Sequence, residues 1–296
     1  MTERRSDRGR RAAFAAPGDD NGGVEADVML ELAVARADAE LAADSMWQAG
    51  ASAVLLREQG ATTTVCASFP TVEATRTVAR EMAAQGAVAV NVDPSWRDGW
   101  RQYATPVPVG EHLLIAPGWR KVPIGSRRLV LSIDPGPCFG SGTHPSTRLI
   151  LTALEQRPPI PAERVVDVGC GSGILAVAAA RLGATDVSAL DTDPEALAVS
   201  RANAEANGVA PQVRAYATDI AELRGPFHLA LVNVTAAVHA EVAPAVTAVM
   251  APGGRMLLAG LLPGQWRHVA PAYTAAGARV SAEMALEGWE GLELVV

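Results

Sequence analysis

Residues Val165 to Gly173 (VVDVGCGSG) run an apolar stretch into three glycines, Gly169, Gly171 and Gly173, at alternate positions. Glycine lets a ligand approach the backbone closely, and a helix starting directly afterwards, from Ile174, offers unpaired N–H groups to that ligand. Asp191 lies twenty-two residues past Gly169, at the end of the next apolar run. A carboxylate there accepts both hydroxyls of a ribose, so the pair points to an adenosine nucleoside. Asp193 and Pro194 read instead as the N-cap and first turn of a helix that Asn207-Gly208 closes.

Two cofactor classes use such a turn. Gly171-x-Gly173-x-x-Ala176 loosely fits a dinucleotide fingerprint. A dinucleotide, however, brings a pyrophosphate, which Asp167 would meet unfavourably. S-adenosylmethionine brings an amino acid, whose ammonium suits Asp167. The competing role for Asp167 is to cap the turn. Asp134 to Thr147 (DPGPCFGSGTHPST) forms a second constellation, in which glycines, prolines and hydroxyls make a shaped loop able to cover a ligand. His144 within it is by itself more often structural than catalytic. The third is Asn233-Val234-Thr235-Ala236, directly after an apolar strand. The carboxyl end of a parallel strand faces the ligand crevice, so Asn233 can accept hydrogen bonds from a substrate amine. Its competing role is a helix cap.

The elements that must hold these groups alternate. Strands are predicted at 164–168, 187–190, 213–217, 228–232 and 255–259, with helices from Ile174, from Pro194, from the end of the fourth strand to about Met250, and from Gln265. This order predicts a parallel, doubly wound sheet. A hairpin, 278–286 and 289–296 joined at Glu287-Gly288, completes seven strands and favours the methyltransferase sheet. Upstream, 29–35, 38–49, 53–56, 62–67, 71–85 and 87–92 read as βαββαβ, the order of a small ferredoxin-like α+β domain. Residues 1–27 read as a disordered tail, 28–93 as the small domain, 94–127 as a connector with Trp96, Trp100 and Trp119, and 128–296 as the α/β domain.

Among 296 residues, 32 acids against 25 bases give a net charge of −7, the wrong sign overall for a protein that wraps nucleic acid. Direct nucleic-acid binding is not expected, and a basic protein partner suits the chain better. Three scattered cysteines without CxxC spacing argue against a disulfide framework and a metal site. No apolar run approaches the roughly 20 residues of a membrane span. The arginines at 4, 5, 8, 10 and 11 precede no apolar signal segment, so a cytoplasmic location is expected.

Together these segments resemble the PrmA family, the methyltransferases of the eleventh protein of the large ribosomal subunit. The family's FGTGTHPTT is similar to Phe139 to Thr147, its DxGCGSGILAIAA to Asp167 to Ala179, its DIDP to Asp191 to Pro194, and its NILA to Asn233 to Ala236. The resemblance runs from about Trp96 to Gly264. It implies an S-adenosylmethionine enzyme in which Thr147, Gly169, Asp191 and Asn233 contact the cofactor, alongside Asp167 and Gly171. It also implies that the amino-terminal domain binds a ribosomal protein whose lysine side chains and α-amino group are methylated. Ser141 and Ser146 replace threonines, Pro137-Cys138 replaces an apolar pair, and Thr235 replaces a leucine beside the expected amine pocket. Alternatives are methylation of another protein or a small amine, and cofactor binding without turnover. No dedicated base is evident, and Asn233 is expected to orient the amine.

Overall fold

The computed structural model describes residues 27–51, 53–69, 71–92, 104–120, 126–136 and 138–296. Residues 1–26 of the expected tail, and Trp96 and Trp100 of the expected connector, lie outside the described residues, while Asp27 already belongs to the first strand. Among the described residues no helix is long and apolar enough to cross a membrane.

The first unit follows β1 (Asp27–Ala35), α1 (Ala39–Gln48), β2 (Ala53–Gln59), β3 (Thr62–Ser68), α2 (Val72–Glu81) and β4 (Val88–Val92). Its strands lie in the order β2-β3-β1-β4, all neighbours antiparallel, which is the split βαβ arrangement expected of a ferredoxin-like domain. Alternation along the strands puts Leu30, Leu32, Val65 and Ala67 on one face, where Met46 of α1 and Val78 of α2 cover them. Thr71 caps α2 by accepting the Ala74 N–H at 3.1 Å.

Part of the expected connector carries structure. β5 (Val107–Val109), β6 (Leu113–Pro117) and β7 (Leu129–Ile133) make a three-stranded sheet, antiparallel at β5–β6 and parallel at β6–β7. Val109, Leu113, Ile115, Leu131 and Ile133 join the large core below, so burial of alternate aliphatics orders this stretch. A second element, α3 (Pro145–Gln156), starts inside the expected loop. Its opening turn, Pro-Ser-Thr-Arg, reads as loop, but Pro145 stands at the first helical position and Leu149, Ile150, Ala153 and Leu154 are buried.

The large sheet contains β8 (Arg164–Val168), β9 (Asp186–Leu190), β10 (Val213–Tyr216), β11 (Phe227–Asn233), β12 (Met250–Leu261), β13 (Arg279–Leu286) and β14 (Trp289–Val295). Their order is β10-β9-β8-β11-β12-β14-β13, parallel except for β14, which is antiparallel to both β12 and β13. The remaining helices are α4 (Ile174–Arg181), α5 (Pro194–Ala206), α6 (Ala236–Ala248) and α7 (Trp266–Ala275). Neighbouring residues face opposite cores: Val165, Leu229 and Leu231 pack with α3, α4 and α5, while Val166, Ala230 and Val232 pack with α6 and α7. The strand order reverses at β8, next to β11, which is the topological switch point where open α/β sheets bind ligands.

Candidate functional site

The glycine turn leaves β8 at its carboxyl end. Gly169, Gly171 and Gly173 have φ of 71°, 51° and 76°, in the left-handed region. A Cβ on Gly171 would lie 2.6 Å from the Phe139 carbonyl oxygen, and one on Gly169 would lie 2.7 Å from Val234 Cγ1. The turn is therefore closed against both other constellations.

Asp191 holds the turn from β9. Its Oδ2 accepts the Gly171 N–H at 2.8 Å and its Oδ1 accepts the Asp193 N–H at 3.0 Å. An ionised carboxylate has about four acceptor positions, so one remains on each oxygen for a pair of ribose hydroxyls. Asp193 is the N-cap of α5 and accepts the Glu195 N–H at 2.8 Å, the structural role its position predicts.

Asp167 is 1% exposed. Its Oδ2 accepts the Ala176 N–H at 3.0 Å in the first turn of α4, so the capping role is present. Its Oδ1 is buried and has no hydrogen-bond partner among the described residues. Burial pushes this carboxyl up to about 7, the Asp191 charge adds to the rise, and the Ala176 N–H opposes it. The unpaired oxygen and raised proton affinity suit a cationic ligand group.

The loop from Asp134 lies on the glycine turn. Ser172 donates its N–H to the Phe139 carbonyl at 3.0 Å and its Oγ–H to the Gly140 carbonyl at 2.6 Å. The Phe139 ring packs edge-on against Trp47 of α1 and against His144, each at 5.2 Å between centroids, and His144 packs on Trp289 at 4.4 Å. His144 is the N-cap of α3: its Nδ1 lies 2.7 Å from Ser146 Oγ and accepts the Ser146 N–H at 3.3 Å. Burial lowers its pKa to about 4, so it is neutral near pH 7. Nδ1 of His144 thus caps α3, the kind of structural role the sequence favours.

α3 then delivers Thr147, 1% exposed, to the end of β11. Asn233 Nδ2 donates to Thr147 Oγ1 at 3.2 Å, which orients the amide and leaves its Oδ1 to accept from another group. The helix-cap alternative for Asn233 does not hold: the N-cap of α6 is Thr235, which makes no side-chain cap bond. Asn233 is half-buried as the last residue of β11, and Gly260 on β12 sits beside its oxygen, where a Cβ would come within 3.2 Å. Thr235 is exposed.

Thus Gly169, Gly171, Asp167 and Asp191 form one group around the glycine turn, and Thr147 with Asn233 forms a second at the end of the neighbouring strand. Sequence reasoning assigned no role to Ser172 or Asn203. Asn203, buried on α5, donates through Nδ2 to the Ser172 carbonyl at 2.9 Å. Its detectable signal is a polar, weakly helix-forming residue repeated four positions on at Asn207, on the face that Ala196, Ser200 and Ala204 share.

A doubly wound sheet closed by an antiparallel hairpin, with a glycine turn after its first strand and an acid after its second, is the fold of the class I methyltransferases. The description "Ribosomal protein L11 methyltransferase (PrmA)" matches residues 76–295, and the chain belongs to that family. Two relatives named ribosomal protein L11 methyltransferase bear this out. The one from Geobacter metallireducens is 41% identical over 196 residues, 66% of this chain and 64% of that protein. The one from Parasynechococcus marenigrum is 43% identical over 209 residues, 68% of this chain and 72% of that protein. The match thus spans a little under two thirds of the Geobacter protein's length. The crystal structure of a ribosomal protein L11 methylase from Lactobacillus delbrueckii subsp. bulgaricus aligns with a TM-score of 0.60 and 28% identity, over 64% of this chain and 98% of that one.

Proposed function

We propose that the chain is an S-adenosylmethionine-dependent N-methyltransferase acting on lysine side chains and the α-amino group of ribosomal protein L11. The observation that carries this reading is the adjacency of the two groups in a member of this family: an acid-lined glycine turn beside an asparagine whose amide a buried threonine orients. The residues fit the cofactor. Asp191 retains acceptor positions for ribose hydroxyls, Gly169 and Gly171 let the turn close against Val234 and the Phe139 carbonyl where a Cβ would collide, and the orphaned Asp167 Oδ1 matches an ammonium. When bound, S-adenosylmethionine supplies a methyl group on a sulfonium, an electrophile with a good leaving group.

The protein's remaining task is to align a neutral amine and exclude water. A lysine amine has an ordinary pKa of about 10.4, so it must lose a proton before attack. Asn233 Oδ1 accepts an N–H from the amine and aims its lone pair, while Thr147 prevents the amide from turning its NH2 toward the substrate. In this reading no side chain is assigned as the base, the proton leaves to water, and the rate rises with pH.

In this reading residues 128–296 hold the cofactor, 94–127 join the two units, and 28–93 dock the protein substrate. The partner is protein rather than nucleic acid, and the cytoplasm is where it is met. Incubating purified L11 with the chain and S-adenosylmethionine, followed by intact-mass and peptide mass spectrometry, tests the proposal. Mass additions of whole methyl groups on lysine or the amino terminus support it, and unmodified L11 with a cofactor-binding chain overturns the substrate assignment.

A further inference from the structure

β7 is an edge strand, paired with β6 on one side only. Its other edge is covered by two asparagines of α5 and its C-cap, one helical turn apart. Asn207 Oδ1 accepts the Ser132 N–H at 2.8 Å and its Nδ2 donates to the Ser132 carbonyl at 2.7 Å. Asn203 does the same for Asp134, with both distances 2.9 Å. Each side chain imitates the backbone of a neighbouring strand, and the fixed polarity of N–H and C=O sets which way each amide points.

The two clamps differ in one respect. The second bond of Asn207 Nδ2 stays within α5, to the Asn203 carbonyl at 2.8 Å, whereas that of Asn203 Nδ2 crosses to the Ser172 carbonyl in the glycine turn. Ser172 in turn donates to Phe139 and Gly140. A closed circuit results: Asn203 fixes the start of the covering loop at Asp134, Ser172 fixes the loop five and six residues later, and Asn203 fixes Ser172. Ser172 is fully buried and Asn203 is 3% exposed, so water does not readily replace a lost bond.

We propose that Asn203 is a positioning residue for the cofactor, setting the covering loop and the glycine turn in the geometry that binds S-adenosylmethionine. This rests on the cofactor reading above. Asn207 supplies the control, because it clamps the same strand without touching the turn.

The test compares Asn203→Ala with Asn207→Ala in the full chain, measuring melting temperature and S-adenosylmethionine affinity by titration calorimetry. Both variants are expected to melt lower, but only Asn203→Ala should weaken binding, by about tenfold or more, since buried partners are left unpaired. Equal affinities, or equal losses in both variants, overturn the proposal and leave a purely structural clamp. If Asn203→Ala does not fold, Asn203→Asp takes its place. It keeps the size and the acceptor for the Asp134 N–H but sets an anionic oxygen against two carbonyls, and it too must lose affinity. A wild-type chain that binds no S-adenosylmethionine removes the cofactor reading itself and this proposal with it.

Discussion

Replacing Asp191 separates the task it performs in the structure, holding the glycine turn, from the one proposed for it, receiving a ribose. In the free protein its oxygens accept two backbone N–H groups, from Gly171 at 2.8 Å and Asp193 at 3.0 Å. Hydrogen bonds to a charged group are worth about 1.5–3 kcal/mol each when shielded, but here the site is half-open and water re-solvates the amides, so Asp191→Ala should cost about 2 kcal/mol in total. Asp191→Asn retains one acceptor and turns an NH2 toward the other N–H, so about half of that loss is expected. For the cofactor, losing two charge-assisted contacts to ribose should weaken binding by about 100-fold. Asp193→Ala is the matched control: it loses the α5 cap, about 1 kcal/mol, without losing a ribose contact. Urea unfolding gives the stabilities, and calorimetry with S-adenosylmethionine gives the affinities. Should Asp193→Ala weaken the cofactor as much as Asp191→Ala, the effect runs through the start of α5 and the ribose assignment is wrong.

Asn233→Ala should lower single-turnover methylation by about 100-fold while changing cofactor affinity little, because its contact with the amine forms chiefly on the way to the transition state; wild-type turnover would refute the role. Cofactor affinity should rise with pH through about 7, as Asp167 ionises and pairs with the ammonium, and Asp167→Asn should flatten that slope in a calorimetric pH series. In the cofactor-free protein Asp167 works the other way on stability: its raised pKa gives a contribution present in full below about 3.8 and lost as pH rises through about 7. His144 and His239, both held near 4 by burial, oppose it, so their stabilisation is present above about 6.5 and is lost as pH falls toward 4. Urea midpoints from pH 8 to pH 4.5 should therefore fall on the acid side, and a flat profile in which Asp167→Asn matches wild type would contradict these assignments.

Where periodicity and local chemistry agree, the fold is legible in the residues alone. The alternation of Val165, Val166, Leu229 and Ala230 between two cores marks the parallel strands, and Glu287-Gly288 marks the hairpin. Asp193 reads as a cap because its whole interaction is local, two residues long. β6 and α3 are harder. β6 is a run of only five residues, LLIAP, set among prolines and glycines, and α3 opens with a histidine cap in place of the usual Ser, Thr, Asp or Asn. Both are ordered by burial against distant strands, which no local window contains. The site divides in the same way. Gly169, Gly171 and Asp191 belong to one recognisable turn, but the meeting of Thr147 with Asn233 spans 86 residues, and that of Asn203 with Asp134 spans 69.

The distribution of charge at the site explains why those long-range contacts matter. Asp167 and Asp191 face one small turn, and among the described residues no basic side chain is bonded to either carboxylate; backbone N–H groups hold both oxygens of Asp191 and one oxygen of Asp167 instead. Amides balance a carboxylate less completely than a guanidinium does, so the turn stays receptive to a cationic ligand, and Asp167 registers this as a raised proton affinity. Such a site depends on the fixed orientation of the amides of Gly171, Asp193 and Ala176. Glycines at positive φ leave Gly171 free to swing unless something opposes it. What opposes it here is packing through Ser172: the Phe139 and Gly140 carbonyls on one side and Asn203 on the other. The same loop continues through the His144 cap to Thr147, so the element that steadies the acid-lined turn also sets the angle of the Asn233 amide. On the proposed reading, one continuous stretch of chain aligns cofactor and amine.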